Sequence, residues 1–361
     1  MIKKKLLIII DNLKQGGAEM LLAGILPEIN LKYDVFLVTL TSGCDFNENQ
    51  IAFKERFVLG FSGKVSFFSC VVKLRKIIKK TAPSLIHAHL YYSSLAARLA
   101  CPSNIPLIYT IHNELSKNIF DNNKLYKLAE KATIRKNHSI IAVSRLVLED
   151  YIKTIRITKK HFILRNYISD EYFNYIPVKR DFNHQKVWRI LAVGNLKASK
   201  NYEYLLQSMI GLKNDSVALD IYGNTDYEHY PAFVKLIEKY PLNVTFKGKV
   251  DNIIEAFSHY DLYVMSSGYE GFGIAAVEAM SMGLPLLLSD IPVLREVTFS
   301  NALFFNLSDP LALTKLINEI ADGKHNLNEL SDKGIEIAKK YTRQQYIEAL
   351  FSIYENVIRG S

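Results

Sequence analysis

Short apolar runs alternate with longer amphipathic segments along almost the whole chain. The runs at residues 6–10 and 35–40 are nearly continuous in apolar residues, as expected of parallel strands that are buried on both faces. Further runs of this kind lie at 85–88, 107–111, 139–143, 189–193, 217–223, 243–248, 261–267 and 284–290. Between them, segments such as 18–29, 94–100 and 124–136 place apolar positions at helical spacing. This alternation predicts the α/β class with open, doubly wound sheets.

A polar segment interrupts the alternation and divides the pattern in two. We therefore predict an N-terminal domain over 1–168, a linker over 169–186 and a C-terminal domain over 187–361. The chain ends in helical patterns, and the last helix, about 343–358, can pack back on the N-terminal domain. Two such Rossmann-like domains are expected to face each other across a cleft at the carboxyl ends of their strands, where ligands bind in these folds.

The net charge of +9 is distributed unevenly over the 361 residues. Residues 1–165 carry 26 Lys and Arg against 12 Asp and Glu, whereas residues 166–361 carry 19 against 24. The asymmetry favours an anionic partner for the first half, and the alternative is a lysine-rich solvated surface. Because residues 71–80 alternate basic and apolar positions at helical spacing, an anionic membrane surface is the expected partner. Nucleic acid is not expected, since no binding module accompanies the charge.

The cysteines and the first residues exclude two other classes of protein. Cys44, Cys70 and Cys101 are odd in number and widely spaced, so neither a disulfide framework nor a metal site is expected. The apolar run 6–10 is shorter than a signal peptide requires, and Asp11 ends it, so a buried first strand is the better interpretation.

The segment EGFGIAAVEAM, residues 270–280, places two glutamates around a run of small apolar residues. It follows a predicted strand, so Glu270 should lie on the loop at the carboxyl edge of the sheet, with Glu278 in the helix that begins at Ile274. The free N–H groups of a helix start favour an anion such as a diphosphate. A carboxylate that accepts from vicinal hydroxyls is a usual way to hold a ribose. The alternative is an acidic residue in a helix-terminal turn plus one exposed helical glutamate.

Residues 270–290, EGFGIAAVEAMSMGLPLLLSD, resemble the E-x7-E segment of retaining glycosyltransferases, specifically glycosyltransferase family 4 with the GT-B fold. Met280, Gly283 and Pro285 complete the M-x-x-G-x-P pattern that makes this segment specific. The resemblance extends over nearly the whole chain, through GGAEMLL (16–22), HAHL (87–90), TIHN (110–113), LAVGNLKASKN (191–201) and GKV (248–250). The N-terminal motifs are much weaker when taken singly.

The resemblance implies a nucleotide-sugar site in the C-terminal domain. Glu278 would hold the ribose, and Glu270 would contact the transferred sugar or support the charge on it. Lys200 would neutralise the diphosphate leaving group as its charge develops. Backbone N–H groups of Phe272, Gly273 and Ile274 would face the sugar and phosphates, and Val250 would lie at the base. Asn195 stands where the family usually has arginine, so leaving-group stabilisation depends more on Lys200 and the helix.

The implied residues of the N-terminal domain lie at strand ends. Gly17 would approach the donor phosphates, and His112 would touch the donor sugar as a second catalytic residue; a turn glycine and a polar strand cap are the alternatives. The acceptor side is assigned Gly16, His89 and Asn113. We expect His87 and His89 to point to opposite faces of their strand, so that at most one of them, preferably His89, reaches the cleft.

The activity implied is a metal-independent hexosyltransferase that uses a UDP- or GDP-sugar and needs no cofactor, because no D-x-D or Cys/His cluster is present. The basic N-terminal half suggests a saccharide acceptor linked to a lipid diphosphate, in the biosynthesis of a surface polysaccharide. The expected location of the enzyme is the cytoplasm, with peripheral attachment to the inner face of a membrane as an option. The main alternative is a non-catalytic nucleotide-sugar-binding partner subunit, for which Asn195 is the argument. An epimerase or phosphorylase of the same fold is disfavoured by Glu270, Glu278 and Lys200 together.

Overall fold

The chain forms two compact units in the computed structural model. The first consists of residues 1–167 together with 343–361, and the second of residues 168–342. The residues that the structure describes are 3–14, 16–47, 51–121, 123–156, 160–177, 180, 182, 187–212, 216–250 and 252–360. The predicted linker therefore falls partly outside the described residues, at 178–179, 181 and 183–186.

The first unit is built on a parallel sheet with seven described strands in the order β3-β2-β1-β4-β5-β6-β7. These strands are β1 (Lys4–Ile10), β2 (Tyr33–Thr39), β3 (Glu55–Val58), β4 (Leu85–His89), β5 (Leu107–Ile111), β6 (His138–Ala142) and β7 (Lys160–Ile163). Helices α1 (Gly17–Lys32), α2 (Lys64–Thr81), α3 (Tyr91–Ala100), α4 (Lys124–Thr133) and α5 (Arg145–Ile155) connect them. The five residues from Leu6 to Ile10 are fully buried, because helices cover both faces of the central strands.

The second unit is built on a parallel sheet with six described strands in the order β10-β9-β8-β11-β12-β13. These are β8 (Trp188–Val193), β9 (Val217–Tyr222), β10 (Val244–Gly248), β11 (Leu262–Met265), β12 (Leu286–Ser289) and β13 (Leu303–Phe305). Its helices are α6 (Asp170–Asn174), α7 (Tyr202–Met209), α8 (Tyr230–Lys239), α9 (Ile254–Phe257), α10 (Ile274–Ser281), α11 (Pro292–Thr298), α12 (Ala312–Ala321) and α13 (Leu327–Ala338). Strands β8, β11 and β12 are the most buried, and they position the site described below.

The last helix, α14 (Arg343–Arg359), belongs to the first unit. The Tyr354 hydroxyl lies 2.7 Å from Nδ1 of His87, and Arg343 donates to the carbonyl of Gly24 at 3.2 Å. The aromatic rings of Tyr33 and Tyr354 pack edge to face with centroids 5.8 Å apart. The first unit is thus completed by a segment that follows the second unit in the sequence.

The predicted fold class, α/β with two doubly wound sheets followed by C-terminal helices, is confirmed. Three short strands were not predicted, namely β3, β7 and β13. They lie at sheet edges and are only partly buried, so they lack the continuous apolar run of a central strand. Among the described residues, no helix combines the length and the apolar character that crossing a bilayer would require.

Candidate functional site

The strand order of each sheet reverses at one point, and the predicted residues gather there. In the second unit, β8 and β11 are neighbours, and the chain leaves them in opposite directions across the sheet. In the first unit the same relation holds for β1 and β4. Loops at the carboxyl ends of such strand pairs diverge and leave a crevice, which is where ligands bind in open α/β sheets.

A lysine–glutamate pair lies at the reversal point of the second unit. Lys200, at the end of a short 3₁₀ turn after β8, donates from Nζ to Oε1 of Glu270 at 2.6 Å. The same Oε1 accepts from the Ser267 hydroxyl at 2.7 Å, and the Ser289 hydroxyl fixes the Ser267 carbonyl at 2.6 Å. Both charged side chains are largely buried yet accessible. The structure therefore brings together the two residues assigned to the leaving group and the transferred sugar.

The start of α10 lies where the sequence predicted an anion-binding element. Gly273 precedes the helix with a φ of 88°, a left-handed conformation that side chains other than glycine rarely adopt. A Cβ at Gly273 would also lie only 2.8 Å from a methyl group of Leu294. Within the described part of the chain, no backbone carbonyl accepts from the N–H groups of Phe272, Gly273 or Ile274. Such N–H groups at a helix start can donate to an anion, and their contact with a diphosphate stays a prediction.

Glu278 lies further along α10 and is held by a residue that was not predicted. The Tyr172 hydroxyl, from α6, donates a hydrogen bond to the Glu278 carboxyl. Burial raises the pKa of Glu278 to about 7, although the Tyr172 hydrogen bond and the charge of Lys200 both act to lower it. At neutral pH this carboxyl therefore exchanges readily between the neutral and the ionised form.

Asn195 and Val250 lie near the carboxyl ends of β8 and β10, the two strands on either side of β9. The Asn195 side chain accepts from the backbone N–H of Asn224 at 3.0 Å, so its oxygen is engaged in fixing the turn after β9. Val250 follows β10 and is exposed. Gly223 is required between them, because a Cβ there would lie 2.1 Å from the Gly194 carbonyl oxygen. Asn195 therefore has a structural task that its sequence position did not reveal.

The prediction that His87 and His89 point to opposite faces of β4 is wrong. Their ring centroids lie 4.1 Å apart, because residues two apart on a strand share one face. His87 is bound on both nitrogens, by Tyr354 and by the Thr110 hydroxyl at 2.7 Å each. His89 lies with Nδ1 at 3.3 Å from Nε2 of His112. Both residues are buried, and His112, beyond them at the end of β5, is the histidine that lines a cavity.

Burial lowers the pKa of all three histidines. The pKa of His112 falls to about 4 and that of His87 to about 3, and that of His89 also lies well below its ordinary value. All three are therefore neutral at pH 7. A neutral His112 can donate or accept one hydrogen bond at each nitrogen, which suits a sugar hydroxyl better than an anion.

These depressed pKa values predict a loss of stability in acid. The unfolded chain takes up protons near pH 6.5, whereas folded His112 resists until about pH 4, so the free energy of unfolding falls as the pH falls through this window. Hydrogen exchange, corrected for the intrinsic rate, should show β4 and β5 opening more often at pH 5 than at pH 7.5. The His112→Asn variant should show a smaller difference between the two pH values. If the parent and the His112→Asn variant showed equal differences in exchange between the two pH values, the lowered pKa of His112 would be contradicted.

A cavity of about 160 Å³ lies at the reversal point of the first unit. His112 and Asn113 line it, whereas His89 lies behind His112, and Gly16 and Gly17 are not among the lining residues. Its wall also carries Asp11, Tyr91 and Tyr92, together with the buried ion pair of Arg98 and Glu130. The Asp11 carboxyl accepts from the N–H and the hydroxyl of Ser93 at 2.9 and 2.6 Å, and burial raises its pKa.

Gly16 and Gly17 instead begin α1. Gly16 precedes the helix in an extended conformation without a side-chain cap, and its carbonyl accepts from the N–H of Met20 at 2.9 Å. Within the first unit, the contacts of Gly16 and Gly17 are those of turn glycines, which was the alternative interpretation. The approach of Gly17 to the donor phosphates and that of Gly16 to the acceptor both stay predictions. In the described residues, no group of three or more His, Cys, Asp or Glu side chains is arranged to hold a metal ion.

Three site residues were missed by the sequence analysis: Tyr172, Ser267 and Asp11. Tyr172 lies in the segment assigned to the linker, where the polar composition concealed a buried aromatic residue. Ser267 ends the run that predicted β11, and its position just before the glycine loop was the available signal. Asp11 follows β1 directly, so its place at a strand end could have identified it.

Two doubly wound parallel units of this kind define the GT-B class of fold, and comparison with known proteins agrees. Residues 16–171 match the family model described as Glycosyltransferase Family 4, and residues 178–341 match the model described as Glycosyl transferases group 1. The two models together span most of the chain. The chain therefore belongs to glycosyltransferase family 4, as the resemblance of its sequence indicated.

Relatives and solved structures resemble the chain over nearly its full length. The O-antigen biosynthesis glycosyltransferase WbnH of Escherichia coli is 26% identical over 351 residues, which is 96% of each chain. The putative glycosyltransferase EpsF of Bacillus subtilis is 24% identical and covers 98% of this chain and 96% of its own. The structure of Anabaena HepE in complex with UDP and glucose superposes with a TM-score of 0.79 at 18% identity, covering 98% and 99% of the two chains.

Proposed function

We propose that this glycosyltransferase transfers a hexose, with retention of configuration, from a UDP- or GDP-sugar to a saccharide acceptor. The observation that carries the proposal is the Lys200–Glu270 pair at 2.6 Å beside the free helix start of α10. Positive charge, N–H donors and a carboxylate thus converge where a sugar diphosphate would need them. The complex of HepE with UDP and glucose, a protein of the same fold, supports the donor class.

The residues of the second unit define the proposed reaction. The bond between the anomeric carbon and the diphosphate oxygen breaks, and its electron pair leaves on the diphosphate. Lys200 and the N–H groups of Phe272 to Ile274 stabilise that negative charge, while Glu270 stabilises the positive charge that develops on the sugar. The acceptor oxygen bonds to the anomeric carbon on the same face, and its proton passes to the departing phosphate oxygen. No strong protein base is then required.

Glu278 is proposed to hold the donor ribose. Its carboxyl accepts from Tyr172 and so is oriented before the donor binds. Vicinal ribose hydroxyls are donors that favour the ionised carboxylate, and they would lower its pKa from about 7. Binding and ionisation are then coupled at neutral pH.

The acceptor is proposed to enter the cavity of the first unit. Tyr91 and Tyr92 offer aromatic faces, and Asp11, His112 and Asn113 offer hydrogen-bonding groups, which is the combination that sugar rings require. WbnH is an O-antigen biosynthesis enzyme by its description, which supports a role in surface polysaccharide synthesis. The basic N-terminal half supports an acceptor linked to a lipid diphosphate, and a cytoplasmic enzyme attached to the inner face of a membrane.

A calorimetric panel of UDP, GDP and their sugars tests the donor assignment. One nucleotide should bind clearly more tightly than the other, and Glu278→Ala should weaken it, since the ribose contact is lost. Glu238→Ala, on the exposed face of α8, is the matched control and should bind normally. Failure of every nucleotide to bind would overturn the proposal. Slow donor hydrolysis without acceptor separates an enzyme from a non-catalytic binding subunit, which should show none.

We expect transfer to continue in the presence of EDTA. The charges proposed to stabilise the diphosphate are those of Lys200 and the start of α10, so a divalent ion is not needed for that step. Turnover measured with and without added Mg²⁺ or Mn²⁺ should agree within about twofold. A loss of turnover in EDTA that Mg²⁺ restores would contradict metal independence.

A further inference from the structure

Helix α2 carries three strongly exposed apolar side chains on its outer surface. Val65, Phe68 and Val72 are 94%, 74% and 51% exposed. Their spacing of three and four residues places them on one stripe of the helix. The helix is anchored by other residues, since Cys70, Val71, Leu74 and Ile78 are buried. Contact with the first unit therefore does not account for the exposed stripe.

The same stripe continues along the helix as lysine. Lys76 and Lys79 follow Val72 by four and seven residues, and both are exposed. Among the described residues, no hydrogen bond or ion pair engages either one, whereas Lys80 pairs with Glu55 at 2.7 Å. Helix α2 contains no acidic residue. We call Val65, Phe68, Val72, Lys76 and Lys79 the apolar–basic stripe.

Helix α4 repeats this composition on the same layer of the first unit. Leu125 and Leu128 are 76% and 63% exposed, three residues apart. The single acidic residue of α4, Glu130, is buried and pairs with Arg98, so the outer side of α4 carries lysines without carboxylates. Helix α3 packs against both α2 and α4, which places the two helices in one layer.

A chain of aromatic contacts connects the apolar–basic stripe to the cavity. The ring of Phe68 lies 6.4 Å from that of Phe67, which lies 6.2 Å from Phe61. Phe61 in turn lies 5.6 Å from Tyr92, which lines the cavity that is proposed to take the acceptor. A molecule with an apolar tail on the stripe could therefore place a polar head in the cavity.

We propose that the apolar–basic stripe of α2, with Leu125 and Leu128 of α4, docks on an anionic lipid bilayer. Apolar side chains would enter the boundary of the acyl chains, and Lys76 and Lys79 would contact lipid phosphates. The absence of exposed carboxylates on α2 makes this surface complementary to anionic lipids. The inference deepens the membrane attachment proposed above by naming the docking residues, and it rests on the proposed function only in linking the stripe to a lipid-borne acceptor.

Binding to vesicles of phosphatidylglycerol and phosphatidylethanolamine tests the proposal. The double variant Phe68→Ser/Val72→Ser and the double variant Lys76→Glu/Lys79→Glu should each bind at least about tenfold more weakly than the parent. Leu31→Ser, an equally exposed apolar residue of α1, and Lys235→Glu/Lys239→Glu on α8 are the matched controls and should bind as the parent does. Vesicles of phosphatidylcholine alone should bind the parent weakly.

Three results would overturn the proposal. The first is equal vesicle binding by the parent and both stripe variants. The second is a loss of vesicle binding in the control variants as large as that in the stripe variants. The third is a dimeric parent that becomes monomeric in the Phe68→Ser/Val72→Ser variant without a change in vesicle binding. The last result, seen by sedimentation, would make the stripe a contact between copies of the chain. Transfer to a short saccharide without lipid should be normal in the stripe variants. Absence of that transfer in the parent would count against the proposed function and leave the vesicle result to be judged separately.

Discussion

Glu270→Gln is expected to lower the turnover of sugar transfer by about 10²–10³-fold, which is the usual cost of removing one group that stabilises a transition-state charge. Glutamine keeps the size of the side chain and can still accept from Lys200 and Ser267 through its amide oxygen. It cannot stabilise a positive charge on the sugar, so the chemical step should slow while the site keeps its shape. Steady-state rates with the donor selected by the binding panel provide the measurement.

The same substitution should leave nucleotide affinity unchanged or increase it. Glu270 holds Lys200 at 2.6 Å and would compete with a diphosphate for that charge. Removing the carboxylate charge relieves the competition, so calorimetry should show UDP or GDP binding at least as tightly as in the parent. Glu238→Gln on α8 is the matched control for both measurements. Full turnover in the Glu270→Gln variant would exclude this glutamate from the reaction.

Glu278→Gln is expected to stabilise the second unit strongly above pH 7 and much less at pH 5. The folded protein holds the Glu278 proton up to about pH 7, whereas the unfolded chain releases it near 4.5. The folded state therefore binds more protons in this window, and the free energy of unfolding falls as the pH rises through it. The shift corresponds to about 3 kcal/mol at pH 8. Glutamine carries no charge and still accepts from Tyr172, so it avoids this cost.

Thermal melting of the two proteins at pH 5 and pH 8 measures the effect. The Glu278→Gln variant should melt only slightly above the parent temperature at pH 5 and well above it at pH 8. Equal melting temperatures of the variant and the parent at both pH values would contradict a Glu278 that holds its proton to about pH 7. Donor binding should change in the opposite direction, because the ionised carboxylate is the better acceptor for ribose hydroxyls. At pH 8 the Glu278→Gln variant should bind the sugar nucleotide about tenfold more weakly than the parent does. The ligand is a sugar nucleotide because its diphosphate does not titrate near pH 7.

The central strands and the glycine loop could be predicted from the sequence because their burial is complete. Runs such as Leu6 to Ile10 leave no ambiguity when both faces of a strand are covered. The edge strand β3, ERFV, has charged and half-exposed positions and so gives no such pattern. Positions of Glu270 and Gly273 followed from their place after a buried strand, since parallel strands bring their carboxyl ends to one edge.

Contacts between residues distant in sequence could not be predicted. Tyr172 reaches Glu278 from a helix of five residues, which is too short to show a period. The oxygen of Asn195 is engaged by Asn224, a contact that depends on how two loops fold rather than on spacing. The rings of His87, His89 and His112 pack together from the ends of two strands, and His87 and His89 share a face because they lie two residues apart on β4.

The position of α14 in the first unit has a consequence for biosynthesis. On the ribosome, the strands of the first unit emerge well before the helix that completes it, because residues 168–342 are made in between. At about 5–20 residues per second, synthesis of the remaining chain occupies on the order of 10–40 s. During that interval the nascent chain has a partner-free aromatic face at Tyr33 and His87, which Tyr354 later covers. The continuous second unit can fold first, and loss of the last residues of the chain should damage the first-made half.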